Sequence, residues 1–250
     1  MSRDIRRQGF TLIELMLAMA FVSMLLVAIA MAVIQISGIY NRGFALKGAN
    51  ESGRSMVTEL QRSINASAPF NLDTNFKPYP NADNPSGGRL CTGQYSYIWN
   101  YGPALNKAGK DSLYRDKSNL NLYKDEADSA TNIRFIKVSD PESNYCLKMD
   151  QDEFKVIDKA KANASAIELL DSGQYDLALH SFKISAPDSA RDLKTGQQMY
   201  NISFLLGTNE QDTFTADGTR CKPPNEGTAD STYCAINEFN IVARAGNKVR

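Results

Sequence analysis

One acidic side chain stands inside the most apolar segment of the chain, and its chemistry requires an explanation. From Phe10 to Ile34 the sequence is apolar except for Thr11, Glu14 and Ser23. A charged group at bilayer depth costs about 2.5–3.5 kcal/mol on insertion scales. Glu14 is therefore expected to have a function, and its chemistry is to pair with a positive charge.

Residue combinations that carry out catalysis are not found in the sequence. The single histidine, His180, falls in a predicted strand without a nucleophile partner, so we expect a structural role. No P-loop, dinucleotide fingerprint or nucleophile elbow occurs. Asp150, Asp152 and Glu153 could hold Ca²⁺, but their spacing does not match an EF-hand loop, and a solvated turn is favoured. The sequence predicts no enzyme, no metal site and no cofactor.

The four cysteines indicate two disulfides. They are Cys91, Cys146, Cys221 and Cys234, and none forms a C-x-x-C pair or has a histidine nearby for zinc. In an exported domain the oxidising compartment favours disulfides over free thiols. Three pairings are possible. A bond between Cys221 and Cys234 would close a short loop worth about 3 kcal/mol on the chain-entropy model.

The element that positions Glu14 is an apolar helix long enough to cross a membrane. The 25 residues from Phe10 to Ile34 span about 37 Å as a helix, against a hydrocarbon core of about 30 Å. This is longer than the core of a secretory signal peptide. A plain single-pass anchor fits the length but leaves Glu14 unexplained. The arginines before it (Arg3, Arg6, Arg7) predict a cytoplasmic N-terminus and an exported C-terminal domain.

The run from Arg6 to Leu15, Arg-Arg-Gln-Gly-Phe-Thr-Leu-Ile-Glu-Leu, closely resembles the class III signal of type IV prepilins and pseudopilins. The resemblance implies cleavage after Gly9, methylation of the new N-terminal amine of Phe10, and Glu14 at the fifth mature position. It also implies a type IV pilin-like fold. A buried carboxylate needs a partner, and the Phe10 ammonium of a neighbouring subunit would supply it.

The helix is predicted to continue to about Ala66, because the first proline is Pro69. Beyond Ile39 it becomes amphipathic. One face carries the stripe expected to pack under a sheet, formed by Ile39, Leu46, Ala49, Met56, Leu60 and Ile64. The other face is expected to be solvated and carries Arg42, Lys47, Glu51, Arg54, Glu59 and Arg62. Glycines recur every five residues, which indicates local flexibility or close packing: Gly38, Gly43, Gly48 and Gly53.

The rest of the chain predicts a β-rich exported domain, and so an α+β fold with the long helix packed on antiparallel sheet. Residues 67–88 are rich in proline, glycine and asparagine and are expected to form a long loop. Strands are predicted at Leu90–Tyr101, Ile133–Ser139, Asn144–Met149, Phe154–Ile157, Leu177–Ser185, Met199–Gly207 and Phe239–Ala245. Ala164–Leu170 fits helix or strand, and residues 102–131 and 208–232 are expected to be polar loops.

An aromatic row occupies alternate positions of the first of these strands, at Tyr95, Tyr97, Trp99 and Tyr101. The favoured interpretation is a sheet face packed on the helix. The alternative is a stacking platform for nucleic acid or sugar. No basic cluster accompanies the row, and Lys+Arg and Asp+Glu balance at 28 each. No nucleic-acid partner is therefore expected.

A second resemblance is to minor pilins of the PilW type. It is carried by Arg89–Gly93, Tyr95–Asn100, Leu177–Phe182 and Gly196–Tyr200. It implies a tip or priming complex that initiates pilus assembly, with prepilin peptidase, the major pilin, other minor pilins and a tip adhesin as partners. Of the three possible pairings we favour Cys91–Cys146 with Cys221–Cys234, and the second bond resembles the staple that pilins often carry in their C-terminal region. A J-type pseudopilin of type II secretion, and an adhesive or DNA-binding pilin, are the alternatives.

These expectations divide the chain into four parts. Residues 1–9 are the leader, 10–36 the transmembrane and assembly helix, 37–67 its amphipathic continuation, and 68–250 the exported domain. The expected location is the bacterial inner membrane, with a periplasmic domain that later reaches the pilus surface.

Overall fold

A long N-terminal helix packs its second half against antiparallel sheets. The structure, a computed structural model, describes residues 10–79, 87–105, 123–124, 134–145, 157–158, 166–170, 176–187, 191–215, 218–223 and 234–246. The helices are α1 (Leu12–Ala66), α2 (Leu72–Asn75) and α3 (Gly102–Leu105), with a 3₁₀ turn at Gln211–Thr213. The antiparallel α+β layout is confirmed.

The strands form two antiparallel sheets and one short parallel pair. The five-stranded sheet has the order β1 (Phe76–Tyr79), β2 (Gly87–Cys91), β3 (Tyr95–Asn100), β5 (Phe135–Ser139) and β7 (Ala166–Glu168). The three-stranded sheet has the order β10 (Ile236–Ala245), β9 (Gln198–Thr208) and β8 (Leu177–Ser185). The parallel pair is β4 (Tyr123–Lys124) with β6 (Ile157–Asp158). An isolated bridge between Tyr101 and Leu179 joins the two larger sheets.

Both ends of α1 are fixed by local chemistry. Thr11 is the N-cap, and its hydroxyl accepts a hydrogen bond from the Glu14 amide, as in a capping box. At the other end the amide and hydroxyl of Ser67 both donate to the carbonyl of Ile64, at 3.0 and 2.8 Å. Pro69 follows and cannot continue the helix. The predicted end at Ala66 is confirmed.

The buried face of α1 differs from the predicted stripe at its membrane-facing end. Ala49, Met56, Leu60 and Ile64 are fully buried, as expected. Ile39 and Leu46 were wrongly assigned to it, since they are 75% and 41% exposed. The stripe therefore begins later along the helix, at Ala45.

Gly53 is buried where α1 comes closest to β10. A methyl group at this position would lie 2.1 Å from Cζ of Phe239. The Phe239 ring is itself stacked on Phe204, with centroids 5.1 Å apart. Close packing is therefore the reason for this glycine. Gly43 has open space around it, so the five-residue repeat does not have one common cause.

The region predicted as a long loop and a single strand contains more structure. Residues 67–88 include α2, β1 and the start of β2. Leu90–Tyr101 is a hairpin, because Gly93 has φ +91° and turns the chain between β2 and β3. Strand-forming residues on both sides of Gly93 hid this turn. Asn144 and Tyr145 are not in a strand, since their amides bond to the Asp140 carboxylate.

The other predicted strands that fall within the described residues are present, and several begin or end at a different residue from the one predicted. β8 begins and ends as predicted, β9 extends one residue further at each end, and β10 begins three residues earlier but ends as predicted. Ala164–Leu170 contains strand β7 rather than helix, and α3 and the 3₁₀ turn lie within the two predicted polar loops. Ile133 and residues 146–149 and 154–156 lie outside the described residues.

Candidate assembly and anchoring helix

The first half of α1 is an apolar cylinder that packs against no other element among the residues that the structure describes. Every large apolar side chain from Leu12 to Ile36 is at least 51% exposed. Within the described residues this is the one helix long and apolar enough to cross a membrane. Apolar surface gains roughly 25 cal/mol for each Å² removed from water. So large an uncovered surface requires lipid or other helices around it.

Glu14 is satisfied inside its own chain at the start of this cylinder. Its Oε2 accepts hydrogen bonds from both the amide and the hydroxyl of Thr11, each at 2.9 Å. The carboxylate also lies at the positive end of the helix dipole. Phe10, whose amine the resemblance assigns as the partner, is 87% exposed beside it. Gly9 and the rest of the leader lie outside the described residues.

An aromatic collar marks the end of the apolar cylinder. Tyr40 and Phe44 are one helical turn apart, and their ring centroids lie 4.4 Å from each other. Arg42 and Lys47 are exposed at the same level, and Lys47 forms an ion pair with Glu51 at 3.7 Å. Thirty residues of helix separate Phe10 from Tyr40, about 45 Å. That matches a bilayer with its headgroups, where tyrosine and basic side chains concentrate.

Polar residues of the second half of α1 attach it to the sheets. Glu59 was expected to be solvated, but it forms an ion pair with Lys137 of β5 at 2.5 Å. The same ammonium lies 3.6 Å from the centroid of the Tyr95 ring. On β10, the Gln61 amide donates to the carbonyl of Val242, and the Asn65 side chain accepts from the amide of Arg244.

The amide residues Gln61 and Asn65 were missed by the sequence reasoning. Their spacing of four residues places both on one face of α1, between the apolar stripe and the charged side. There their side chains form hydrogen bonds with backbone groups at the outer edge of β10. An exposed strand edge invites pairing with another chain, and covering it suppresses that pairing. Amides at helical spacing beside an apolar stripe were the signal available in the sequence.

The aromatic row does not form a ligand platform in the structure. Tyr97, Trp99 and Tyr101 are 0%, 1% and 5% exposed. Trp99 packs against Phe182 and Phe135, with ring centroids at 4.5 and 5.7 Å. Burial raises the pKa of the Tyr97 hydroxyl. Tyr95, the least buried of the four, is covered by Lys137 as described above. The interpretation as core packing holds for this row.

His180 has the structural surroundings expected for it. Its Nε2–H donates to the carbonyl of Thr208 at 2.9 Å, and its ring packs 4.5 Å from that of Phe214. Burial lowers the pKa of the imidazole. Among the residues that the structure describes, no group of three or more acidic, histidine or cysteine side chains could hold a metal ion. Asp150, Asp152 and Glu153 lie outside that part of the chain.

The cysteines are oxidised where the structure describes them. Cys221 and Cys234 form a disulfide, which is the pairing favoured above for the C-terminal region. A backbone bridge between Phe214 and Cys221 ties the same loop to the core. Cys91 is also disulfide-bonded, while Cys146 lies outside the described residues.

Comparison of the chain with protein-family models, with curated proteins and with solved structures found no match. The features of the chain that bear on its function are an uncovered apolar helix, a carboxylate at the start of that helix, and sheets packed on its second half.

Proposed function

We propose that the protein is a minor pilin of a type IV pilus and part of a priming complex that initiates pilus assembly. The observation that carries the proposal is α1, one 55-residue helix with an uncovered apolar half and a buried half. A plain anchor has no need for a continuous rod, but a filament subunit does. The rod fixes the distance and orientation between the packed membrane segment and the exported domain.

The apolar half has two environments in this mechanism. Before assembly it lies in the inner membrane, where Thr11 satisfies Glu14. During assembly it exchanges lipid for the apolar helices of neighbouring subunits. The amine of Phe10, freed when prepilin peptidase cuts after Gly9, then provides a positive partner for the carboxylate of a neighbour. A charged pair in an apolar bundle is directional, so it selects one register between subunits.

Priming follows from a preassembled group of such helices. A cluster of minor pilins presents a complementary apolar surface to the first major pilin. The unfavourable step of bringing the first subunits together is then complete before the major pilin arrives. A J-type pseudopilin of type II secretion would use the same helix. Deletion of the gene separates the two: loss of pili with normal secretion supports the proposal, and the reverse outcome favours the pseudopilin.

The N-terminal chemistry is tested by mass spectrometry of the membrane-extracted protein. In a strain with an active prepilin peptidase we expect a chain that begins at Phe10 and carries one methyl group. The same strain without the peptidase provides the unprocessed control. An intact leader in the active strain would contradict the proposal.

Two substitutions at Glu14 separate its charge from its capping hydrogen bonds. Glu14→Gln keeps a capping side chain but no charge, whereas Glu14→Ala removes both. We expect both variants to be cleaved normally and to enter pili at least ten-fold less than the wild type, measured by immunoblot of sheared pili. Normal incorporation of Glu14→Gln would show that capping alone matters and would remove the charge-pairing mechanism.

A further inference from the structure

The two cysteines of the C-terminal disulfide differ in exposure. Cys234 is fully buried, at 0% exposure, whereas Cys221 is half-buried. Their Cα atoms lie 5.8 Å apart. In thiol–disulfide exchange an external thiol must reach one of the two sulfurs, so access decides which sulfur is attacked. Cys221 is therefore the side of this bond that an external thiol can reach.

Cys221 is held in place by contacts that do not involve its sulfur. It forms a backbone bridge with Phe214, and the next amide, that of Lys222, donates to the carbonyl of Thr213 at 2.8 Å. Phe214 is 4% exposed, and its ring packs against that of His180 with centroids 4.5 Å apart. These contacts do not require the disulfide, so they keep Cys221 beside the core when its sulfur is reduced.

Cys234 is held through the residue that follows it. The amide of Ala235 donates to the hydroxyl of Thr208 at 3.3 Å, and its carbonyl accepts from the amide of Thr208 at 2.9 Å. Strand β10 begins at the next residue, Ile236, and pairs with β9 over its full length. Cys234 is therefore fixed at the point where the chain enters the sheet.

Both sets of contacts meet at Thr208. Its carbonyl accepts the Nε2–H of His180 at 2.9 Å, and the ring of His180 supports Phe214 beside Cys221. The same residue bonds to the segment that carries Cys234. A closed set of contacts thus joins the two cysteines without passing through their sulfurs. Groups held in this way react at a high effective concentration, because folding has already removed the entropy of bringing them together.

We propose that Cys221 and Cys234 form a thiol–disulfide exchange site on the folded domain, where Cys221 reacts with the partner and Cys234 resolves the mixed disulfide. The partner is a dithiol oxidoreductase of the exported compartment.

The exchange reaction balances between the two proteins. In the oxidising direction the Cys221 thiolate attacks the disulfide of the oxidoreductase, forms a mixed disulfide and releases one enzyme sulfur as a thiolate. Cys234 then loses its proton and attacks Sγ of Cys221, which expels the second enzyme thiolate. The cysteine pair gives up two electrons and two protons, and the disulfide of the enzyme becomes a dithiol.

Single serine variants of the full-length chain test the two roles. Cys234→Ser leaves Cys221 as the remaining thiol of the pair, and Cys221→Ser leaves Cys234 in the matched control. Each variant, purified in detergent, is treated with oxidised glutathione, and the adduct at the remaining cysteine is followed by mass spectrometry. In the folded chain we expect Cys221 to react at least about ten-fold faster than Cys234, because it is the sulfur that can be reached. In denaturant the two rates are expected to converge.

The unsubstituted chain provides a second measurement that does not depend on a variant folding. Reduced glutathione added to the native protein is expected to form a mixed disulfide at Cys221 and not at Cys234. After the free glutathione is removed, we expect Cys234 to attack that mixed disulfide and restore the original bond without denaturation.

Cells that produce each variant identify the class of partner. With exchange stopped by acid and free thiols alkylated, Cys234→Ser is expected to accumulate a mixed disulfide with a second polypeptide that contains a Cys-x-x-Cys pair, about ten-fold above Cys221→Ser. Equal adducts from both variants, an adduct only with a second copy of this chain, or no adduct would overturn the proposal. So would faster reaction of Cys234 in the folded chain, or reaction only in denaturant. The site concerns the folded domain alone, so these outcomes leave the proposed pilus role standing, and failure of that role leaves the site standing.

Discussion

His180 is held by contacts within the fold, in the structural surroundings that the sequence leads us to expect. The Nε2–H of His180 donates to the Thr208 carbonyl, and the ring lies against that of Phe214. The fold favours the neutral ring, because burial lowers its pKa. An imidazole near pKa 6.5 in the unfolded chain binds a proton before the folded one does.

The free energy of unfolding is therefore expected to decrease as the pH falls below about 6.5. Above about pH 6.5 His180 is neutral in both states and contributes no pH dependence. As the pH falls from there towards the lowered pKa of the folded state, the unfolded chain takes up the proton and the free energy of unfolding decreases. Denaturant unfolding of the detergent-solubilised chain between pH 5 and 7.5 measures this slope. His180 is the chain's single histidine, so the His180→Asn variant is expected to show a flatter dependence of the free energy of unfolding on pH. If the slope is unchanged in that variant, carboxylates and not His180 cause it.

At the scale of elements, the contact between α1 and the three-stranded sheet depends on the absence of a side chain at Gly53. Alanine normally favours a helix by roughly 0.8–1 kcal/mol over glycine. Here its Cβ would lie 2.1 Å from the stacked Phe239 ring, and overpacking of this kind costs about 1–3 kcal/mol. Gly53→Ala is therefore expected to destabilise the protein.

Gly43→Ala is the matched control, since nothing lies within 4 Å of its added methyl group. It is expected to leave the free energy of unfolding unchanged or raise it by up to about 1 kcal/mol. Denaturant unfolding followed by circular dichroism measures both variants. If both variants change the free energy of unfolding in the same direction, the Phe239 ring moves aside at little cost and its close approach to Gly53 is unimportant.

For the whole molecule, the structure separates an uncovered apolar half of α1 from the half that packs against the sheets. Since the side chains from Leu12 to Ile36 are uncovered, a chain beginning at residue 37 loses no buried contact. We expect it to be soluble without detergent and to have a free energy of unfolding within about 1 kcal/mol of the full chain. Size-exclusion chromatography and denaturant unfolding test this; aggregation or a large loss of stability would mean that the apolar half supports the fold.

Patterns with a local physical cause were predictable from the sequence. The end of α1 follows from Pro69 and the capping serine, and β8 follows from an unbroken strand pattern. The hairpin around Gly93 was not predicted, because strand-forming residues flank this glycine on both sides and one strand was predicted from Leu90 to Tyr101. Nor was the Glu59–Lys137 ion pair, whose partners are 78 residues apart. Sequence periodicity shows which face of α1 is polar, but it does not show which part of that face another element covers.

The sequence by itself determined the long helix, its apolar half and the carboxylate at its start, since length, hydropathy and capping act within one segment. Only the tertiary structure decided that Tyr97, Trp99 and Tyr101 are core, that Gly53 admits Phe239, and that Leu193 is exposed. These depend on which surfaces meet across distant parts of the chain. A residue type states what a side chain can do, but its neighbours in the fold decide whether solvent, lipid or another protein can reach it.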